Sequence, residues 1–595
     1  MNNPYTTIPA PGPGQDTIFT LEVWEQHNMP PILHLAEGWT EIEVQAFTDN
    51  PDLEMIRIPA SVVSIQEDAF AGAVSLREVE FAQGSMLEFI GNGAFKGAES
   101  LERINIPARV RRIGDGAFNG TISLEQVTFE EGSQLEMIGA QAFFGAEPLQ
   151  TIRIPASVVS IQEDAFNGAI SLREVEFAQG SLLRFIGEDA FKGAESLERI
   201  NIPAGVRRIG DGAFNETSAL EQVTFEEGSQ LEMIGVQAFS GTESLQTISI
   251  PAGVTRIDNY AFYNASGLVE VVFEEGSKLE SIGDGSFDGA TALQTIRIPA
   301  SVSNIGKGVF RNATSLQTIH IPKLVQTLMI MTFDNASSLR EVTFEEGSLL
   351  QTIAGGAFHQ TTALQSIQIP AGVTIIGQGA FKSASALQKI VIPKLVRGIG
   401  VQAFANTTSL REVTFEQDSQ IAEIGYDAFR GSGLTLVVIG ESALNRLNDN
   451  ANLHNQAEIE SGRRPIKFLP EVKFREINDF YGKYDVTIVS RKQQIDTLQL
   501  ITKKRGYTTP PKTGFIRSLT QTLRLKKPTP KRRPPLPEAL TRKIGTYIMP
   551  KGVEPKSPAA LAGRKGGARK PRTRKRGARR TKKGKSKRRK TMKRK

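Results

Sequence analysis

Side chains able to do chemistry are plentiful in this chain, and nearly all of them return at fixed intervals. Gly-x-Gly triplets occur at Gly91-Asn-Gly93, Gly114-Asp-Gly116, Gly210-Asp-Gly212, Gly283-Asp-Gly285, Gly306-Lys-Gly308 and Gly377-Gln-Gly379. A dinucleotide loop would also need a third glycine, a following helix and a βαβ unit of about 30 residues. The triplets lack that context and read as repeated corners. His27, His34, His320, His359 and His454 show no metal-ligand spacing, and no His-Glu-x-x-His is present. Acidic pairs at Glu130-Glu131, Glu226-Glu227, Glu274-Glu275 and Glu345-Glu346 occupy equivalent turns. Stacking such turns predicts a negative edge with too few ligands for calcium. Sequons at Asn119, Asn215, Asn264, Asn312 and Asn406 fall where a backbone corner calls for Asn followed by small residues. With no cysteine, thiol nucleophiles, disulfides and iron–sulfur sites are excluded. No nucleophile or acid–base pair stands out from the repeat, so the chain reads as a non-enzyme without catalytic, cofactor or metal residues.

The elements that position these groups follow from the period. A phenylalanine, usually preceded by Ala, recurs seventeen times from Phe47 to Phe429, at spacings that alternate between 23 and 25 residues with two local breaks. Around each anchor runs Leu-x-x-(Ile/Val)-x-(Ile/Phe), a turn, and Ile-Gly-x-x-Ala-Phe, as in Leu101 to Ile106 followed by Ile113 to Phe118. The first half alternates like a short strand, and the second is spaced like a helical turn. Proline after the strand, as at Pro59 and Pro107, ends its pairing. Gly or Asn two residues after the anchor suits a left-handed position, and the following Ala, Thr or Ser implies a tight site. A single coil cannot bury its own apolar edge, so the coils must stack. The expected fold is an α/β repeat: a solenoid of about 17 coils, one long parallel sheet on the order of 80 Å, and a spine of Phe and Ile.

The pattern Leu-x-x-Ile-x-Ile-Pro-x-x-Val-x-x-Ile-Gly-x-x-Ala-Phe, carried across residues 32–439, resembles the BspA-type leucine-rich repeat. In that family the small corner position is frequently cysteine, where this chain has Ala, Thr or Ser. The resemblance implies protein or surface recognition, often adhesion, and no catalytic residue set. It extends to proteins of bacteria, protists and giant DNA viruses.

A recognition role also follows from an internal copy: residues 56–152 match residues 152–248 with 14 differences over 97 positions. Doubling four coils whole is unlike the history of a single active site and adds area or valency to a binding surface. The expected protein-binding face is the row of outward residues at mid-strand, including Arg57, Glu80, Asn105, Arg153, Glu176, Asn201, Arg297, His320 and Gln368.

Charge divides the chain. Residues 1–500 hold 36 Lys and Arg against 62 Asp and Glu, a balance of −26, whereas residues 564–595 hold 20 basic residues and no acid. So dense a run of one sign cannot form a core. It suits nucleic acid or another polyanion through Arg572, Arg574, Lys575, Arg576, Arg579, Arg580, Lys582, Lys583, Lys587, Arg588, Arg589 and Lys590. Such tails resemble those on repeat proteins of large DNA viruses. The same tail is an expected partner for the acidic body, within or between molecules. The expected organisation is an N-terminal extension and cap (1–31), the solenoid (32–439), a C-terminal cap or small mixed segment (440–505), a Pro-rich basic linker (506–563) and a disordered polybasic tail (564–595). No apolar run reaches membrane-spanning length, and the N-terminus lacks the form of a signal peptide. An intracellular (nuclear or cytoplasmic) or virion location is therefore expected. Surface adhesin and structural virion or matrix component are the alternatives.

Overall fold

The computed structural model describes residues 6–12, 14–447 and 487–490. Nearly every coil contributes a broad strand of four residues, such as Arg103–Ile106, and a narrow strand of two, such as Arg112–Ile113. Ile104 and Ile106 turn inward while Arg103 and Asn105 stay exposed, the alternation that a pleated strand imposes. Neighbouring coils pair in parallel and in phase, with Ile104 beside Val127 and Ile113 between Ile90 and Ile138. In place of the one long sheet expected, there are two ladders. A coil of 23 or 25 residues closes on itself through two straight stretches, and each meets its counterpart one coil away. The broad ladder runs in sheets of six, nine and four strands, and the narrow one in sheets of thirteen and five. Residues 365–370 keep the buried Ile367 and Ile369 but add no strand, which marks one of the breaks.

The corner is not the helical turn that the spacing of Ile-Gly-x-x-Ala-Phe suggests. Its backbone bonds to the next coil, with Phe70 N–H donating to Ala94 O and Phe95 N–H to Ala117 O, both at 2.7 Å. Left-handed residues sit on both sides of the anchor, as at Gly116 (φ 63°) and Gly120 (φ 75°) around Phe118, and this rules out a continuous helix. The small residue after the second left-handed position is buried, and where it is threonine its hydroxyl donates to the anchor's carbonyl, as from Thr217 to Phe214 O at 2.8 Å. Alanine and threonine are interchangeable there because each satisfies the site in its own way.

The anchors form the expected spine. From Phe47 to Phe429 each ring stacks on the next, with centroids 4.7–5.8 Å apart and planes within 12° of parallel. This row lies inside one continuous core with the Leu and Ile rows. Residues before 32 extend it. Thr6–Ile8 pairs with Ile32–Leu35, and Ile18–Phe19 pairs with Glu41–Ile42. Trp24, on the helix Leu21–Gln26, lies 5.0 Å from Phe47 and takes the anchor position of this first coil. At the other end Leu436–Ile439 pairs with Thr487–Ser490. Residues 441–447 add a short helical turn with Ala443 and Leu447 buried, and the rest of the expected C-terminal segment, the linker and the tail lie outside the described residues.

Candidate functional site

The broad ladder sets much of the expected face side by side across coils: Arg57 beside Glu80, Asn105 beside Thr128, Arg153 beside Glu176, Asn201 beside Thr224 and His320 beside Thr343. Arg57, Asn105, Arg153, Glu176, Asn201, Arg297, His320 and Gln368 are exposed, and Glu80 is half-buried. Gln368 lies on the segment that forms no strand. Much of the column pairs with itself. Arg153 and Glu176 approach to 3.4 Å, Thr128 donates to Asn105 Oδ1 at 2.9 Å, Thr224 to Asn201 Oδ1 at 2.8 Å, and His320 Nδ1 lies 2.9 Å from the Thr343 hydroxyl. Such exposed pairs are worth little and exchange cheaply for a partner's groups.

The acidic turns divide between two tasks. The first glutamate of each pair reaches back one coil and accepts the N–H of the residue after proline: Glu130 from Ala108, Glu226 from Ala204, Glu274 from Ala252 and Glu345 from Lys323, at 2.8–3.0 Å. Sequence could not separate this backbone clamp from the second glutamate, which remains available to solvent. Glu37 reaches forward one coil instead and accepts from both Ala60 and Ser61 N–H, and those hydrogen bonds, the Ala60 one above all, hold its carboxyl below the usual range.

The glycine triplets have a backbone origin. A Cβ on Gly114 would lie 2.5 Å from the carbonyl carbon of Gly91, and Gly116 is left-handed. The sequon residues Asn264, Asn312 and Asn406 are left-handed as well, and Asn312 donates its amide to Asp288 Oδ1 at 3.0 Å.

Two electrostatic clusters are assembled mainly across coils, from residues 23–25 apart in sequence. Asp288, only 2% exposed, accepts from Arg311 Nε at 2.8 Å, and one coil further on Asp334 lies 2.7 Å from His359 Nδ1. The Asp288 hydrogen bond holds the Arg311 guanidinium still more firmly in its charged form. Glu188 shows the opposite case. Partial desolvation, followed by Glu163, Asp211, Asp189 and Asp164 around it, pushes its carboxyl up. The outward residue of the narrow strand carries no local sequence signal, since two residues are too few to display alternation. Among the described residues no group of three or more His, Asp or Glu is placed to hold a metal ion, and no helix is long and apolar enough to cross a membrane.

Comparison with known proteins places this geometry. The BspA type leucine-rich repeat region matches over residues 40–173, 136–269, 232–348, 268–387 and 348–457. A leucine-rich repeat protein from Bacteroides ovatus is similar at 25% identity and a TM-score of 0.51, over 73% of this chain and 91% of its own. A leucine-rich cell surface protein from Faecalibacterium prausnitzii is 21% identical over 68% of this chain and 92% of its own, with a TM-score of 0.32. The pneumococcal vaccine antigen PcpA is 18% identical over 69% of this chain and 82% of its own, with a TM-score of 0.28. No curated protein sequence matches the chain. With the repeat matched across most of its length and its coils stacked on a phenylalanine spine, the chain belongs to the BspA-type leucine-rich-repeat family.

Proposed function

We propose that this protein is a non-enzymatic recognition scaffold whose solenoid binds a protein partner and whose tail, residues 564–595, binds nucleic acid or another polyanion. The observation that carries the first part is the column of outward side chains on a rigid ladder, doubled by duplication. The core is spent on the spine, and what varies from coil to coil is the surface. Exposed charges 23 residues apart in sequence and adjacent in space, as Arg153 and Glu176 are, offer a partner a choice of both signs. The tail's 20 positive charges in 32 residues support the second part, because displacing counterions from phosphates is favourable whatever the sequence.

The experiment has two arms. Charge reversal of Arg57 and Arg153 to Glu lowers capture of a partner identified by cross-linking to the wild-type protein; unchanged capture removes the broad ladder from the interface. Deleting residues 564–595 flattens the salt dependence of binding to duplex DNA, which otherwise falls with a slope of about −0.9 per phosphate neutralised. An unaltered slope refutes the tail's role. Sedimentation of the same pair at low and high salt tests whether the tail also engages the acidic body, and identical behaviour at both counts against that contact.

A further inference from the structure

The outward column of the narrow ladder differs from that of the broad one. From coil to coil it reads Phe89, Arg112, Met137, Ser160, Phe185, Arg208, Met233 and Arg256, each in register with the next. Phe89 is 45% exposed and Phe185 49%. An apolar residue at the start of the same two coils adds to each, with Met86 41% and Leu182 54% exposed. Burying such side chains is favourable, and the fold leaves them partly in water at matching positions of the two duplicated blocks. Beyond Arg256 the column turns to Ser281 and Asn304. The patch is therefore confined to one stretch of the ladder.

Phe, Met and Arg are the residue types that crowd the centres of protein interfaces. The column itself holds no carboxylate from Ser64 to Asn304, and the carboxylates crowded around Glu188 belong to the adjoining corner. The arginines of the two copies are held by exposed partners, Arg112 by Asp115 at 3.7 Å and Arg208 by Asp211 at 3.4 Å, which a ligand's carboxylates can replace at small cost, whereas Arg256, at the end of the stretch, is bound to the half-buried Asp258 at 3.0 Å. A nucleic acid fits less well. Glu136 and Glu232 stand beside the flanking Arg111 and Arg207, at 3.4 and 3.5 Å, and would face a continuous line of phosphates, whereas a peptide spaces its carboxylates to meet the arginines. Corresponding residues of the two copies are four coils apart, about 19 Å at the usual strand spacing. An extended chain covers that distance in about six residues, so about twelve reach both copies.

We infer that the narrow-ladder face formed by Phe89, Arg112 and Met137 and by their copies Phe185, Arg208 and Met233 is a two-site docking surface for an extended acidic protein segment that carries apolar side chains. This rests on the scaffold reading and adds a second binding face, distinct from the broad ladder.

The test is fluorescence anisotropy of the full-length protein with a labelled peptide of about twelve residues alternating Asp and Leu. Oligo-aspartate of the same length and an oligothymidylate serve as further probes, and salt is held at about 0.15 M so that diffuse attraction to the tail is screened. The Asp–Leu peptide is expected to bind about tenfold or more tightly than oligo-aspartate, and F89A/F185A to abolish that preference without altering oligo-aspartate binding. F89A alone should lose less than the double variant, because one site remains. The broad-ladder swap R153E/E176R should leave the Asp–Leu peptide unaffected. Equal binding of the two peptides overturns the inference, as does wild-type affinity in F89A/F185A. A parallel loss of oligothymidylate binding in F89A/F185A overturns it in favour of a nucleic-acid face. These outcomes leave the scaffold reading intact, since that stands or falls on capture by the broad-ladder variant.

Discussion

The coils before about residue 250 and those after it share one interior and present unlike exteriors. In both, phenylalanine stacks on phenylalanine at nearly constant spacing, 5.4 Å from Phe191 to Phe214 and 5.5 Å from Phe310 to Phe333. Outside, the residue after the small corner position alternates between apolar and acidic through most of the first region, at Val74, Glu99, Ile122, Glu147, Ile170 and Glu195, with Ser218 as the exception. In the second it is a hydroxyl: Ser266, Thr291, Thr314, Ser337 and Thr362. Thr291 donates to Ser266 O at 3.3 Å, Thr314 to Thr291 O at 3.4 Å and Thr362 to Ser337 O at 3.2 Å. The later surface thus satisfies part of its hydrogen bonding internally, while the earlier one exposes charge and hydrophobic side chains. A repeat architecture permits this because each coil answers only to its neighbours, so surface residues change without disturbing the spine.

If the interior is shared, the largest effects must match across the two regions. Phe214→Ala and Phe333→Ala should each destabilise by about 3–5 kcal/mol, read locally by hydrogen exchange because a solenoid need not unfold in one step. A much smaller cost in one region would break the equivalence. Next in size is Asp288→Ala in the second region, which removes the buried acceptor of Arg311 and should cost about 1.5–3 kcal/mol, measured by urea denaturation. The equivalent position four coils earlier is Lys192, paired with Asp189 at 3.1 Å and partly exposed, and Lys192→Ala should cost under about 1 kcal/mol.

The smallest effects are pH-dependent and take opposite signs. Glu37 has a lowered folded pKa, so its contribution is present above the ordinary value near 4.5 and is lost as pH falls through the folded one. Glu37→Gln should lower the melting temperature at neutral pH and converge with wild type in acid. Glu188 has a raised folded pKa, so its favourable contribution exists below the ordinary value and disappears as pH rises through the folded one. Glu188→Gln should therefore raise the melting temperature slightly at neutral pH and have no effect in acid. Because the group is largely exposed, added salt should shrink that gain. A gain that is insensitive to salt would mean that the crowding of carboxylates is not its cause.

Much of the architecture was legible because it repeats. The Phe period, the alternation in segments such as Leu101 to Ile106 and the prolines that stop pairing are local signals that reinforce one another. Trp24 was less so: it falls in register with Phe47, 23 residues on, but tryptophan breaks the pattern of identity while keeping that of size. The helical corner was misread because three-to-four-residue spacing of large side chains describes a run of turns as well as a helix. Only the inter-coil bonds, such as Phe70 to Ala94, distinguish them. Of the candidate faces, the mid-strand column was visible from period-two alternation. The narrow column with Phe89 and Phe185 was not, since nothing within a two-residue strand tells which side is wet.

What the order of amino acids determined alone is the stacking of near-identical coils, since apolar residues at one period have no other way to leave water together. The tertiary structure decided which polar groups are spent and which are free. Glu130 and Glu131 are the same residue in the same turn, yet Glu130 reaches the Ala108 N–H one coil away. Arg112 and Phe89 likewise become neighbours only when 23 residues of chain close into a turn. Charges and hydrogen bonds act over a few ångströms in space, and in a solenoid that distance is measured across coils rather than along the chain.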